Sequence, residues 1–285
     1  MSLMLTCREY AEITKISIKS LIEKTKKKPR LVIIQIDNNE ASNRYTKWKK
    51  ADCEYVGIQC KHIHINSEEY SQIQLEFLIK SYDMNPSVHG IIIQLPIPKD
   101  YDLCKLQDCI SPIKDVDGFR RDSMHKPCTA QGIKDWLDAN DYNLEGKEVV
   151  VLGRSKIVGK PFVDIAIENG ATVTCCNSKT RFPELYMQNA DLVVSAIGKP
   201  KFFDASDFDY GVEIVIDVGI NEDENGKLCG DINREDVIAE YPNTYVTPVP
   251  GGVGLLTRTA LLTNVMKAFF DLEPDEIKNI YEVNE

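Results

Sequence analysis

The sequence predicts an α/β protein of two domains, each built on a parallel sheet covered by helices on both faces. Three observations carry that expectation. Short runs rich in Val and Ile alternate with helical patterns along the chain, and these strand-like runs fall into two series. A polar stretch rich in turn residues, SPIKDVDGFRRDSMHKPCTA, separates the two series. At 285 residues the chain exceeds one small core and suits one large domain or two smaller ones.

The first series opens with a helix whose solvated end is the basic run KTKKKPR (24–30), where lysines complement the helix dipole. LVIIQID (31–37), KHIHI (61–65) and GIIIQLP (90–96) read as strands, with helices over 41–56 and 68–82 between them. In ASNRYTKWKKADCEYVGI, Tyr45, Trp48, Tyr55 and Val56 recur at near-helical spacing and Gly57 can end the helix. This spacing puts Lys49 one turn beyond Tyr45 on the same apolar face, while Lys47 and Lys50 serve the solvent side. In CKHIH, Cys60, His62 and His64 share one strand face without further ligands, so no metal site is expected there.

The second series begins after a helix in AQGIKDWLDAN. It runs through EVVVLG (148–153), ATVTCC (171–176), DLVVSAIG (191–198), EIVIDVG (213–219) and TYVTPVP (244–250). A last helix is expected over 257–270, after PGGVG. The predicted domains are 1–119 and 120–265, with a terminal helix over 266–285 packing back on the first domain and a ligand cleft between the lobes.

Composition excludes several classes of function. A formal net charge of −10 argues against a nucleic-acid partner, which needs clustered positive charge. No apolar stretch approaches the roughly 20 residues that span a bilayer, so no membrane partner is expected. Arg8 and Glu9 stand where a signal peptide would need its apolar segment, and a cytoplasmic location is expected. Nine cysteines, with no C-x-x-C pair, read as reduced and mostly structural thiols.

VVVLGRSKIVGKP follows a strand and opens a helix, the setting of a phosphate-binding turn. Gly153 permits the sharp exit from the strand, Ser155 can donate a hydroxyl to a phosphate, and Gly159 lets the helix pack closely. The helix N-terminus favours the anion, so a dinucleotide cofactor is predicted. The next strand ends in NSKTR, without the acidic residue that binds a ribose 2′-hydroxyl in NAD-specific domains. With Arg154 in the facing turn, NADP is favoured over NAD. SAIG (195–198) and DVGIN (217–221) end two further strands on small residues, which serve either plain packing or a close approach to the cofactor.

With these motifs in place, the chain resembles the bifunctional methylenetetrahydrofolate dehydrogenase/cyclohydrolase family over roughly 5 to 270. The resemblance rests on ASNRYTKWKKADCEYVGI, HGIIIQLPIP, KDVDGF, PCTAQG, VLGRSKIVGKP, VIDVGIN and TPVPGGVG, in the expected order. It implies an N-terminal α/β domain, a Rossmann-type NAD(P) domain, tetrahydrofolate substrates in the cleft, and a homodimer paired through the cofactor domain. Tyr45 matches the tyrosine that stacks on the p-aminobenzoyl ring, Lys49 the catalytic lysine, and Gln94 its partner glutamine. Asp117 matches the pterin-binding aspartate. Leu95 and the loop Pro250, Gly251, Gly252 and Val253 match the folate lining, and Gly153, Arg154, Ser155, Ser178 and Ile220 the cofactor contacts.

Three departures accompany the match. Ala130 stands where a proline is usual, Leu255 and Leu256 replace proline and methionine, and the usual N-terminal DGK motif is absent. The two lost prolines free two φ angles near interdomain segments. The reaction implied is oxidation of 5,10-methylenetetrahydrofolate, followed by hydrolysis of the methenyl product to 10-formyltetrahydrofolate. A partly buried lysine beside the methenyl cation can accept and return a proton in the second step.

Overall fold

The computed structural model describes residues 4–282; the last residues of the expected terminal helix, 283–285, lie outside them. The chain divides into two compact units, Glu12–Cys128 with Arg258–Glu285, and Met1–Ala11 with Thr129–Thr257.

The first unit takes most of α1 (Cys7–Glu23), then β1 (Arg30–Ile36), α2 (Glu40–Val56), β2 (Gln59–Ile65), α3 (Gln72–Asp83), β3 (Gly90–Gln94) and α4 (Leu103–Gln107). Its sheet has the order β2-β1-β3, all parallel. Alternation along β1 builds two cores. Leu31 and Ile33 pack with Ile18, Cys53, Val56 and Phe269, while Val32, Ile34 and Ile36 pack with Leu75, Ile79 and Leu106. Both faces are therefore dry, as the continuous apolar run of β1 requires.

Local signals set the elements. Lys28 of the basic run donates its Nζ to the carbonyls of Ile22 (2.6 Å) and Thr25 (3.0 Å) at the end of α1, where unpaired carbonyls await donors. Asn39 caps α2 by accepting from the Ser42 N–H, and Gly57 ends it at φ 92°, a left-handed conformation that costs glycine nothing. The buried face of α2 differs from the expected aromatic stripe. Ser42, Thr46, Lys49, Asp52, Cys53 and Val56 are buried, whereas Trp48 and Tyr55 are exposed. The aromatics lie on the flank of the helix because its inner face meets the polar ends of the strands.

The second unit takes α5 (Cys128–Ala139), β4 (Glu148–Leu152), α6 (Gly159–Glu168), β5 (Thr172–Cys176), α7 (Glu184–Met187), β6 (Leu192–Ser195), β7 (Ile214–Asp217), the hairpin strands β8 (Asn221–Glu222) and β9 (Leu228–Cys229), α8 (Arg234–Glu240) and β10 (Tyr245–Val246). Its parallel sheet has the order β10-β7-β6-β4-β5. Val149 and Val151 join one core and Val150 and Leu152 the other, again by alternation. Helix α9 (Val253–Leu272) starts in this unit and continues in the first, where α10 (Asp275–Glu282) follows. The strands stop short of the expected ends because SAIG, DVG and TPVP turn into loops at their Gly and Pro residues.

The unit breaks fall elsewhere than 119/120 and 265/266. Residues 120–128 stay with the first unit because Arg120 N–H donates to the Asp115 carboxylate (2.9 Å) and Met124 N–H to the Pro112 carbonyl (3.1 Å). Ala260, Leu262 and Val265 belong to the core that also holds Ile18 and Ile33. The N-terminal residues join the second unit, where the Trp136 indole donates to the Leu5 carbonyl (2.9 Å) and Leu5 N–H to Asn140 (2.7 Å). Helix α10 is held in the first unit by Glu276, whose carboxylate accepts the N–H groups of Lys26 (2.7 Å) and Lys27 (3.1 Å). Ala130 and Leu255 lie inside α5 and α9, so the helices themselves fix the φ angles that proline would have fixed. Among the described residues no helix is long and apolar enough to cross a membrane.

Candidate active site

In the first unit β1 is central, with β2 on one side and β3 on the other, so the connections diverge between β1 and β3. Ligands in open α/β sheets bind at the carboxyl ends of strands beside such a point. Gln35 and Gln94 are register partners at that end. Lys49, on α2, donates its Nζ to Gln94 Oε1 at 3.1 Å. Both side chains belong to buried residues, 7% and 8% exposed, so an amine is held where water has little access. Gln94 is held in turn, its Nε2 donating to the Leu95 carbonyl (2.9 Å), which also accepts from Ser42 Oγ (3.0 Å). Below this pair, Gln35 accepts from Thr46 Oγ1 (3.0 Å) and donates to Asn43 Oδ1 (2.6 Å), and His62 Nε2 lies 3.2 Å from Gln35 Oε1. His62 thus belongs to a polar network under α2.

Asp115 and Asp117 divide the roles in KDVDGF. Asp115 is the turn former: its carbonyl accepts from Gly118 N–H (3.1 Å) and its carboxylate from Arg120 N–H (2.9 Å). Among the described residues no protein hydrogen bond holds the Asp117 carboxylate, although the residue is only 8% exposed. Asp117 and Lys49 converge electrostatically on one neighbour. Burial pushes the Cys128 thiol well up, the Asp117 charge adds to this, and Lys49 opposes it. Tyr45 is half-buried one turn before Lys49, with its ring edge-on to Trp48 at 5.6 Å, and burial pushes its phenol up.

In the second unit, β4 ends at Gly153, whose φ of 104° only glycine adopts freely. A side chain on Gly153 would strike the Ala196 carbonyl, and one on Gly159 would strike the Gly153 carbonyl. The turn and the start of α6 are therefore as close as backbone allows. Ser155 Oγ accepts from the N–H groups of Val158 (3.2 Å) and Gly159 (3.4 Å). Its own proton remains free to donate outward at a helix N-terminus, which suits a phosphate oxygen. Leu152 pairs with both Cys176 and Ser195, so the loops carrying Gly153, Ser178 and residues 196–198 leave the same sheet edge. In the loop after β5, Asn177 organises an Asx turn with Lys179 and Thr180. Among the described residues no hydrogen bond or ion pair engages the exposed side chains of Arg154 and Ser178. Ile220 is 53% exposed beyond β7. Pro250, Gly251 and Gly252 turn the chain into α9, whose first residue, Val253, is buried.

The sequence reading missed a buried carboxylate pair beneath two of these loops. Asp231 accepts from Ser195 Oγ, the N–H groups of Ile197 and Lys199, and Asn221 Nδ2, at 2.8–3.0 Å. Asp217 accepts from the N–H groups of Gly219, Asp231 and Ile232, and burial pushes its pKa up to about 6. A Gly-Asp dipeptide reads as a surface turn, so no sequence signal pointed to Asp231. It missed also the ion pair that Asp52, on α2, makes with Arg258.

Two parallel α/β units, one with a buried lysine–glutamine pair at its switch point and one with a glycine-bounded phosphate turn, define a two-domain dinucleotide-dependent enzyme. The chain belongs to the tetrahydrofolate dehydrogenase/cyclohydrolase family: the model of its catalytic domain matches residues 5–117, and that of its NAD(P)-binding domain residues 127–272. The bifunctional protein FolD of Agathobacter rectalis is 42% identical over 247 residues, covering 84% of this chain and 87% of that protein. That of Oceanobacillus iheyensis is 40% identical over 282 residues, covering 94% and 97%. Among solved structures, the bifunctional FolD methylenetetrahydrofolate dehydrogenase/cyclohydrolase of Campylobacter jejuni superposes with a TM-score of 0.88 at 36% identity, over 94% of this chain and 99% of that one. The FolD enzyme of Trypanosoma brucei, solved with NADP and an inhibitor, gives 0.85 at 27% identity, over 94% and 97%.

Proposed function

We propose that this chain oxidises 5,10-methylenetetrahydrofolate to the 5,10-methenyl compound with NADP and then hydrolyses that compound to 10-formyltetrahydrofolate. The observation that carries the reading is the buried Lys49–Gln94 pair at the end of the first sheet, in a chain whose two halves match the two domains of the family. Tyr45 offers a half-buried ring for the aminobenzoyl group, and Asp117 a carboxylate for the pterin's N–H donors. Gln94 fixes the Lys49 amine, and this amine takes and returns the proton as water adds to the methenyl carbon. Leu95 and residues Pro250, Gly251, Gly252 and Val253 line the folate.

NADP supplies a hydride acceptor. Gly153, Ser155 and the start of α6 would cradle its pyrophosphate, with Ile220 against it, and Arg154 and Ser178 would bind the 2′-phosphate. We further propose a cytoplasmic homodimer paired through the NADP domain. The test is a spectrophotometric assay with methylenetetrahydrofolate and NADP or NAD, following the reduced cofactor and the methenyl compound separately. Reduction without methenyl hydrolysis would mark a dehydrogenase alone. Absent turnover despite tight folate binding would refute the enzymatic reading.

A further inference from the structure

A second charged group lies on α2 beside the proposed folate site. Asp52, three residues after Lys49, is 8% exposed and bridges two cations. Lys15 Nζ lies 3.0 Å from Oδ1 and Arg258 Nη1 lies 3.0 Å from Oδ2. Lys15 comes from α1 and Arg258 from α9, so the carboxylate ties both helices to α2. Arg258 has a second neighbour: its guanidinium carbon lies 5.5 Å from the centroid of the Trp48 ring. Trp48 meets Tyr45 edge to face, with 68° between the rings. Trp48 is 42% exposed, so its emission can report on solvent and on a ligand at Tyr45.

We propose that Arg258 is a positioning residue for the substrate: anchored by Asp52, it holds Trp48 by a cation–π contact, and Trp48 sets the face that Tyr45 presents to the folate ring. This rests on the reading of Tyr45 as the folate-stacking residue. A guanidinium stays charged, so it can form a close ion pair with a carboxylate while its cation lies over an indole face. Among the described residues Asp52 Oδ2 has no hydrogen-bond partner, so here the carboxylate contact is electrostatic. A merely structural ion pair would act otherwise, because a buried pair can often be replaced by apolar groups without loss. Stability and substrate affinity should therefore come apart when both partners are removed.

The experiment compares full-length wild type with Arg258→Met, Arg258→Lys, Asp52→Ala and the double variant Asp52→Ala/Arg258→Met. Affinity for methylenetetrahydrofolate is read from Trp48 fluorescence and from KM; the other tryptophan, Trp136, is fully buried and serves as the internal reference. Arg258→Met should weaken folate binding about 3- to 10-fold, the size of one cation–π contact, with KM for NADP unchanged. It should also raise iodide quenching of Trp48. Arg258→Lys keeps the ion pair and should recover only part of the affinity. The double variant should regain part of the thermal stability that Asp52→Ala loses, Lys15 being left without its carboxylate in both, yet keep the weakened folate binding. A double variant with wild-type folate affinity, or a parallel rise in KM for NADP, overturns the inference alone. A wild type whose Trp48 emission ignores methylenetetrahydrofolate overturns the placing of folate on Tyr45, and this inference with it.

Discussion

Replacing Lys49 with Gln separates the two proposed chemical steps. The amine lies in a buried position with Gln94 Oε1 at 3.1 Å as its hydrogen-bond partner, and glutamine keeps an N–H donor on a stem shorter by one atom. At worst the Gln94 oxygen loses its donor, which costs about 1–3 kcal/mol against a domain stability of roughly 5–15 kcal/mol. That loss is a fraction of the total, so the fold should survive. The chemistry should not survive equally. A general acid–base group contributes about 10²–10⁴-fold, or roughly 3–5 kcal/mol of barrier, and glutamine can neither take nor return a proton at neutral pH.

The assay follows the decay of methenyltetrahydrofolate absorbance on folded Lys49→Gln, beside NADPH formation from the methylene compound. Methenyl hydrolysis should fall by at least about 10²-fold, while hydride transfer, which needs no proton acceptor on the protein, should persist in part. Lys47→Gln and Lys50→Gln change exposed lysines on the same helix and should leave both rates near wild type. Hydrolysis by Lys49→Gln within a few-fold of wild type would refute the reasoning, and Lys49 would then be a positioning or packing residue.

Arg154→Ala should raise KM for NADP by about one to two decades while scarcely changing that for NAD, since a charge-assisted contact contributes roughly 1.5–3 kcal/mol; equal effects on both would remove the 2′-phosphate role. Gly159→Ala should weaken both cofactors alike, because its methyl would strike the Gly153 carbonyl and deform the turn they share; an unchanged KM for both would show the turn is not part of the site. His89 is buried, its Nδ1 accepts from Arg30 N–H (2.9 Å), and burial pulls its pKa down to about 4. Glu273, 3.9 Å from Nε2, is too distant to bond and offsets this only partly. The unfolded chain therefore binds a proton below about pH 6.5 that the folded chain refuses, so stability falls as the pH drops from 6.5 towards 4. His89→Asn, which can still accept from Arg30, should flatten that loss by roughly 2 kcal/mol in urea unfolding across this range; an unchanged slope would refute it.

Much of this was legible from short-range pattern. Strand β1 betrayed itself by an apolar run that only a sheet dry on both faces can bury, and the helix of Lys49 by its spacing and Gly57. The phosphate turn showed in the order strand, Gly153, Ser155, Gly159, helix. The buried face of α2 was not legible, because hydrophobic periodicity assumes an apolar core, and this helix turns Ser42, Thr46, Lys49 and Asp52 inward. Arg258 reaches Asp52 across 206 residues of chain, and Asp231 reaches Ser195 across 36. Neither contact leaves a local periodicity, so each emerges only once the chain is folded. That the first residues join the second compact unit was illegible for the same reason, since it rests on hydrogen bonds such as Leu5 to Asn140.

The small residues of SAIG and DVGIN posed a choice between packing and cofactor approach, and the carboxylate pair decides much of it. The N–H groups of Ile197 and Lys199 are directed at Asp231, and that of Gly219 at Asp217. Those donors are engaged within the protein, so they cannot also cradle a phosphate. Gly219 and Gly230 have no room for a side chain because the carboxylates occupy it, and glycine there serves packing. Gly153 is a different case, since its neighbour is the Ala196 carbonyl at the sheet edge. Of the loops after β4, β6 and β7, the β4–α6 turn is therefore the one left for the proposed pyrophosphate, since Ser155 keeps its proton. The loops after β6 and β7 are tied by hydrogen bonds to buried carboxylates, and on the proposed reading what they offer the cofactor is an apolar surface such as Ile220.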